Sequence, residues 1–220
     1  MSRSSSEAGQ AFPIYVAAVA GLLFLAFAFF AVGMASASRN DAQGAADAAA
    51  LAAAQDARDG LRDDLLELFD PDVWEGLLDG EGLDDTLGPC AEAAEFAEKN
   101  GAKRDDCHPV YSPFGYTVKV TNAEPVGDSL IPITSSKHAT ATATAVIEPL
   151  CGIREAEGST EEPEEPGNGG GEGDEDSEED EKRHELVCDD FDEPIEIDPD
   201  RLDEILPDPE DLFSVHLADR

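Results

Sequence analysis

The pattern of apolar and polar positions divides the chain into stretches of different kinds. From Phe12 to Met34 nearly every residue is apolar, and no charge occurs between Glu7 and Arg39. At about 1.5 Å per residue, Phe12 to Ala35 makes a helix of roughly 36 Å, longer than a hydrocarbon core of about 30 Å. A helix satisfies its own backbone hydrogen bonds, so the segment predicts a single transmembrane helix over 12–36. Pro13 stands in the first turn, where a helix tolerates proline, and residues 1–11 form a short Ser-rich tail before it. Residues 37–60 are Ala-rich and contain no proline, which predicts that the helix continues beyond the membrane. On a helical wheel Asn40, Gln43, Asp47 and Arg58 fall near one face. Ala42, Ala45, Ala46, Ala49 and Ala53 fall near another. Gly60 is expected to end or bend the rod.

Shorter elements follow over 61–152. Leu61, Leu65, Leu66, Leu68 and Phe69 suit a short amphipathic helix broken at Asp70-Pro71. Trp74, Leu77 and Leu78 suggest a further apolar-faced turn, before Gly80 and Gly82 open a loop. Cys90 to Asn100 reads as a helix with Cys90, Ala93, Ala94 and Ala97 on one side and Gly101 as its left-handed stop. Tyr116–Thr121 and Lys137–Ile147 alternate as strands, the second in strict Ala/Thr order, and Leu130–Ile133 suits a short edge strand between them. Residues 153–185 change character: acidic residues, prolines and a Gly-rich run predict a disordered acidic linker. Residues 186–220 regain apolar positions. Pro199–Leu206 suits a short helix, and Phe213–Leu217 suits a last strand rejoining the sheet. The fold class is therefore α+β: a long N-terminal helix carrying a small antiparallel-sheet head with a disordered acidic loop.

Composition constrains partners. The chain has 220 residues, 51 acidic against 14 basic, and a formal charge of −37. Such a field repels phosphates, which argues against nucleic acid and against anionic lipid surfaces; salt adaptation would give a similar composition. The positive-inside bias is weak, because Arg3 and Arg39 stand one on each flank of the span. Four cysteines suit an oxidising compartment, so the expected topology places the N-terminus in the cytoplasm and the bulk outside the cell membrane. A cleavable signal peptide is the alternative, with Ala35-Ser36-Ala37 as its cleavage pattern, but the apolar region is longer than such peptides carry.

Candidate chemistry is sparse. Cys90, Cys107, Cys151 and Cys188 allow three pairings. Proximity in sequence favours Cys90 with Cys107 and Cys151 with Cys188, bridges worth roughly 3 and roughly 4 kcal/mol in the chain-entropy model. Metal ligation is the rival, yet no Cys-x-x-Cys occurs. His108, His138, His184 and His216 are scattered, and the chain carries no Gly-x-Ser-x-Gly, His-Glu-x-x-His or phosphate-loop motif. Asp189, Asp190, Asp192, Glu193, Asp198 and Asp200 are dense enough to attract Ca²⁺, but their order is not that of an EF-hand, and a solvated acidic loop is the plainer reading. No catalytic, cofactor-binding or metal residue is assigned, and no small-molecule substrate is expected. Small residues at one-turn spacing, Ala17 with Gly21 and Ala31 with Ala35, would let a second helix approach closely in the membrane. Ala46 and Ala49 extend that expectation along the rod.

Gly9-Gln10-Ala11-Phe12-Pro13 before an apolar helix, then Arg39-Asn40 and Ala45-Ala46-Asp47-Ala48-Ala49-Ala50-Leu51-Ala52, resembles the TadE/TadG-like proteins of Flp (tight adherence) pilus assembly, most closely the actinobacterial kind. The resemblance covers residues 9 to about 56. It implies a non-enzymatic, membrane-anchored pilus-assembly or minor-pilin-like protein, a pilin-like head, and other pilus-assembly or pilin-like membrane proteins as partners. Ile14 stands fifth after Gly9, where processed pilins carry Glu, which counts against cleavage at Gly9. A membrane-anchored extracellular acidic binding or sensing module is the alternative function.

Overall fold

The computed structural model describes residues 11–67, 69–78, 87–125, 137–156 and 183–219. Helix α1, Ala11–Glu67, is one continuous helix of 57 residues, about 85 Å long. It passes through Gly60, where the sequence suggested an end or a bend. One interior glycine costs a helix only about 1 kcal/mol relative to alanine, and the buried Leu61 and Leu65 that follow anchor the next turns. The expected separate helix at Leu61 is thus the end of α1.

Helix α2, Pro71–Leu78, begins where expected. The Asp70 carboxylate accepts hydrogen bonds from the N–H groups of Asp72 (3.0 Å) and Val73 (3.3 Å), and Pro71 has no N–H to satisfy. Helix α3, Leu87–Lys99, ends at Gly101, whose φ of 72° is the left-handed conformation that glycine adopts freely. The Asn100 side chain donates to the carbonyl of Phe96 at 2.8 Å and closes the last turn.

The described strands are β1 (Ala102–Tyr111), β2 (Phe114–Asn122), β3 (Thr140–Pro149), β4 (Cys151–Glu155), β5 (His184–Cys188), β6 (Ile195–Glu196) and β7 (Phe213–Leu217). The main sheet is antiparallel in the order β1-β2-β3-β7, so the last strand does rejoin the sheet. β1 was not legible in advance. Its Lys103-Arg-Asp-Asp106 run is polar, it lies at the sheet edge, and it carries a bulge between Arg104 and Asp106. Leu130–Ile133 lies outside the described residues, as do residues 1–10, Gly80, Gly82 and 157–182.

One face of the sheet is covered and the other is wet, the usual division in an antiparallel sheet. Tyr116, Val118 and Val120 of β2 and Ala143, Ala145 and Ile147 of β3 are buried. Thr140, Thr142 and Lys119 are exposed on the other face, where Thr117 and Thr144 share a hydrogen bond of 2.7 Å. Gly115 permits the β2–β3 approach: a Cβ there would come within 2.1 Å of the Ala145 carbonyl oxygen.

The covering layer is the second half of α1, with α3 beside it. Ala42, Ala45, Ala46, Ala49, Ala50, Ala53 and Ala54 are buried in the same core as Val118, Val120 and Ala145. The expectation that Ala46 and Ala49 face other helices is corrected here. Both are fully buried inside the chain's own head, because methyl side chains on helix and strand let the two backbones pack closely.

A smaller sheet, β4-β5-β6, closes the far end of the head. Residues 153–155 and 184–185, assigned in advance to the acidic linker, are ladder residues of β4 and β5. Their register follows from the Cys151–Cys188 pairing at the base of the hairpin. Leu186, Trp74, Leu65, Ile197, Leu202 and Leu206 are buried in the same core, and Phe69 meets the Trp74 ring edge-on at 5.2 Å. Pro199–Leu206 forms a 3₁₀ turn, Pro199–Arg201, followed by α4 (Leu202–Ile205), and α5 (Pro209–Leu212) leads into β7.

Candidate functional site

The apolar start of α1 is exposed along its length: Phe12, Phe24 and Phe29 are 74%, 71% and 76% accessible. It is long and apolar enough to cross a membrane. Ala17, Gly21 and Ala31 lie on this part and are exposed, while Ala35 is half-buried. The proposed helix-packing residues therefore fall into two groups: four on the apolar part, and Ala46 and Ala49 inside the head.

The junction between the two parts is a built feature. The Asn122 amide at the end of β2 donates to the Ser38 carbonyl at 3.0 Å. A carbonyl can only accept, so this bond fixes which amide atom is nitrogen. Oδ1 of Asn122 is left buried without a hydrogen-bond partner among the described residues. The backbone is tied around the same point: Asn122 N–H donates to Ala139 O (2.9 Å), and Ala123 N–H to Gly101 O (2.9 Å). Beside it is an open cavity of about 1090 Å³, lined by Met34, Ser38, Asp41, Asn100, Asn122 and Glu124 among others. Sequence reasoning missed Asn122 and Ser38, since an Asn after a strand usually signals only a turn.

At the far end of α1, Arg62 donates to the carbonyls of Pro207 (2.9 Å) and Leu206 (3.4 Å) and holds the C-terminal segment against the helix. Cys90–Cys107 joins α3 to β1, and Cys151–Cys188 joins β4 to β5. None of the four is a free thiol.

The remaining candidates do not converge. His108 lies 3.4 Å from Asp106, His138 bonds the Asn122 carbonyl at 2.8 Å, His184 faces the Phe69 ring, and His216 lies 3.9 Å from Glu148. Among the described residues no three His, Cys, Asp or Glu side chains are grouped to hold a metal ion. In the acidic stretch, Asp198 is committed to structure. It bonds Arg201 at 2.8 Å and caps the 3₁₀ turn through Asp200 N–H. These bonds, Arg201's first, lower its carboxyl below the ordinary value. Lys99 is raised by its bond to Glu95, at 2.7 Å. Neither shift marks a reactive group, because both side chains are exposed ion pairs.

The fold therefore defines an α+β head built directly onto a helix of membrane-spanning length. Residues 9–56 match the family described as "Putative Flp pilus-assembly TadE/G-like". The match covers the apolar part of α1 and most of its alanine face, and stops before the sheet. No curated protein and no solved structure matches the chain.

Proposed function

We propose that the protein is a non-enzymatic, membrane-anchored component of Tad/Flp-type pilus assembly, of assembly-factor or minor-pilin kind. The observation that carries this reading is the TadE/G-like match at 9–56, which falls on the helix that is exposed and apolar at one end and core of the head at the other. In this reading residues 12–36 span the cell membrane with the N-terminus in the cytoplasm. The head, closed by two disulfides, stands outside, consistent with an oxidising compartment. Its partners are other pilus-assembly or pilin-like membrane proteins, met through the lipid-facing side of α1, where Ala17, Gly21, Ala31 and Ala35 provide close approach.

The test is co-purification from membranes combined with intact mass of the protein from membranes and from sheared surface filaments. A chain starting at residue 1 or 2, found in membranes with pilus-assembly proteins, supports an anchored assembly role. A chain starting at Gln10 in filaments assigns a processed subunit. Recovery in the medium starting near Ser38, with no pilus protein attached, overturns the proposal.

A further inference from the structure

Among the described residues one buried side-chain atom lacks a hydrogen-bond partner, Oδ1 of Asn122, and Asn122 lines the open cavity at the junction. The residue is only 8% exposed. Its Nδ2 is committed to the Ser38 carbonyl at 3.0 Å, so the amide cannot exchange oxygen for nitrogen without giving up that bond. An amide oxygen only accepts, so what Oδ1 lacks is a donor. The rest of the wall favours a positively charged one. Among the described lining residues the charged side chains are Asp41 and Glu124, both acidic and exposed, with no Lys, Arg or His. Asn100 donates its side-chain N–H to the Phe96 carbonyl at 2.8 Å. With Gly101 it marks the C-terminal end of α3, the negative end of the helix dipole.

Outside the lining the neighbouring charges are mixed. Arg39, Lys99, Lys103 and Lys137 stand against Glu95, Glu98 and Asp105, and Lys99 is paired with Glu95 at 2.7 Å. No field of one sign surrounds the cavity, so the preference comes from its own wall. A bare metal ion is a poor match: among the described residues no three His, Cys, Asp or Glu side chains are grouped to hold one, and the space is about 1090 Å³. An organic cation with N–H groups suits it better. Position narrows the choice if α1 spans the membrane, the reading on which this inference rests. Phe12 to Ser38 measures about 40 Å along the helix, a hydrocarbon core of about 30 Å plus part of each headgroup layer. Met34 and Ala37 line the cavity on the side of the apolar run and Asp41 on the side of the head, so it opens at headgroup depth.

We infer that this cavity takes the ammonium group of a phosphatidylethanolamine headgroup, whose N–H groups donate to Asn122 Oδ1 and to the Asp41 and Glu124 carboxylates. Choline has no N–H and offers Oδ1 nothing. A phosphatidylglycerol headgroup would bring net negative charge to two carboxylates. The seated headgroup holds one lipid at the point where the helix enters the head.

The test reconstitutes the full chain into nanodiscs of equal parts phosphatidylethanolamine and phosphatidylcholine, transfers it to mild detergent and counts the retained lipids by native mass spectrometry. The expected result is retention of phosphatidylethanolamine over phosphatidylcholine by about tenfold, the factor for one hydrogen bond to a charged group. Asp41→Asn combined with Glu124→Gln, on exposed side chains outside the core, should remove most of that preference and leave the near-ultraviolet circular dichroism unchanged. A further arm supplies free ethanolamine to discs of phosphatidylcholine alone. An ethanolamine adduct there, with no lipid preference in the mixed discs, assigns the cavity to a soluble amine and overturns the lipid assignment. Equal retention of the two lipids without an adduct, or a preference that the double variant keeps, overturns the inference and leaves the membrane reading standing. Failure of the chain to enter either disc overturns both.

Discussion

The two halves of α1 are built from similar helix-forming residues and meet opposite surroundings. In the first half, Phe24 and Phe29 are 71% and 76% accessible, although aromatic side chains gain most from leaving water. In the second half, Ala46, Ala49 and Ala53 are fully buried, although a methyl group gains least. Burial thus runs against hydrophobicity along one helix. The difference teaches that size, not apolar character, selected the surface that packs inside the protein. Small side chains let the helix lie close on the Ala face of β3 and gain many short contacts. Large ones are suited to a liquid hydrocarbon that needs no shape match.

Substitutions can break or sharpen this contrast. The largest effect belongs to Trp74, fully buried between α1 and the smaller sheet. Trp74→Ala should cost about 3–5 kcal/mol in thermal unfolding of the head, followed by near-ultraviolet circular dichroism in detergent. Next come paired changes on the two halves. Ala49→Leu forces extra volume against the sheet and should cost about 1–3 kcal/mol, whereas Ala31→Leu on the exposed half should leave the same transition unmoved. If Ala49→Leu were as silent as Ala31→Leu, the alanine face would not be core and the contrast would collapse. Gly115→Ala should also lower the transition, because its Cβ meets the backbone of β3.

The smallest expected effect is Asp198→Asn. Folding lowers this carboxyl's pKa through Arg201 and Asp200, so the charged form is favoured in the folded state. Its contribution is present above the ordinary carboxylate value of 3.8 and is lost as pH falls through the lower folded value. The variant should therefore differ slightly from the parent near neutral pH and converge with it in strong acid. A difference that grows toward acid would reverse the sign assigned here.

Much of the architecture was legible because it depends on local pattern. The apolar run, the alanine-rich continuation, Asp70-Pro71 as a break, Gly101 as a stop and the alternation of β2, β3 and β7 are all properties of a few neighbouring residues. β1 was hidden because its polar sequence is tolerable only at an edge, and edge position is decided by the other strands. The flanks of the acidic segment were likewise assigned to the linker, although residues 153–155 and 184–185 pair across it. Their pairing partners are about thirty residues apart along the chain, beyond the reach of a window reading.

The junction was legible least of all. Asn122 and Ser38 are separated by 84 positions, and neither is unusual where it stands in the sequence. What the sequence determined by itself was the long helix, its membrane-crossing length and the TadE/G-like stretch on it, since helix propensity and hydropathy are summed over adjacent residues. Only the tertiary structure decided that the alanine face is covered by the chain's own sheet, that α1 runs unbroken through Gly60, and that Asn122 at the end of β2 is tied to Ser38 where the helix enters the head. Those outcomes depend on which distant surfaces come together, and contact between distant surfaces is settled by packing, not by local preference.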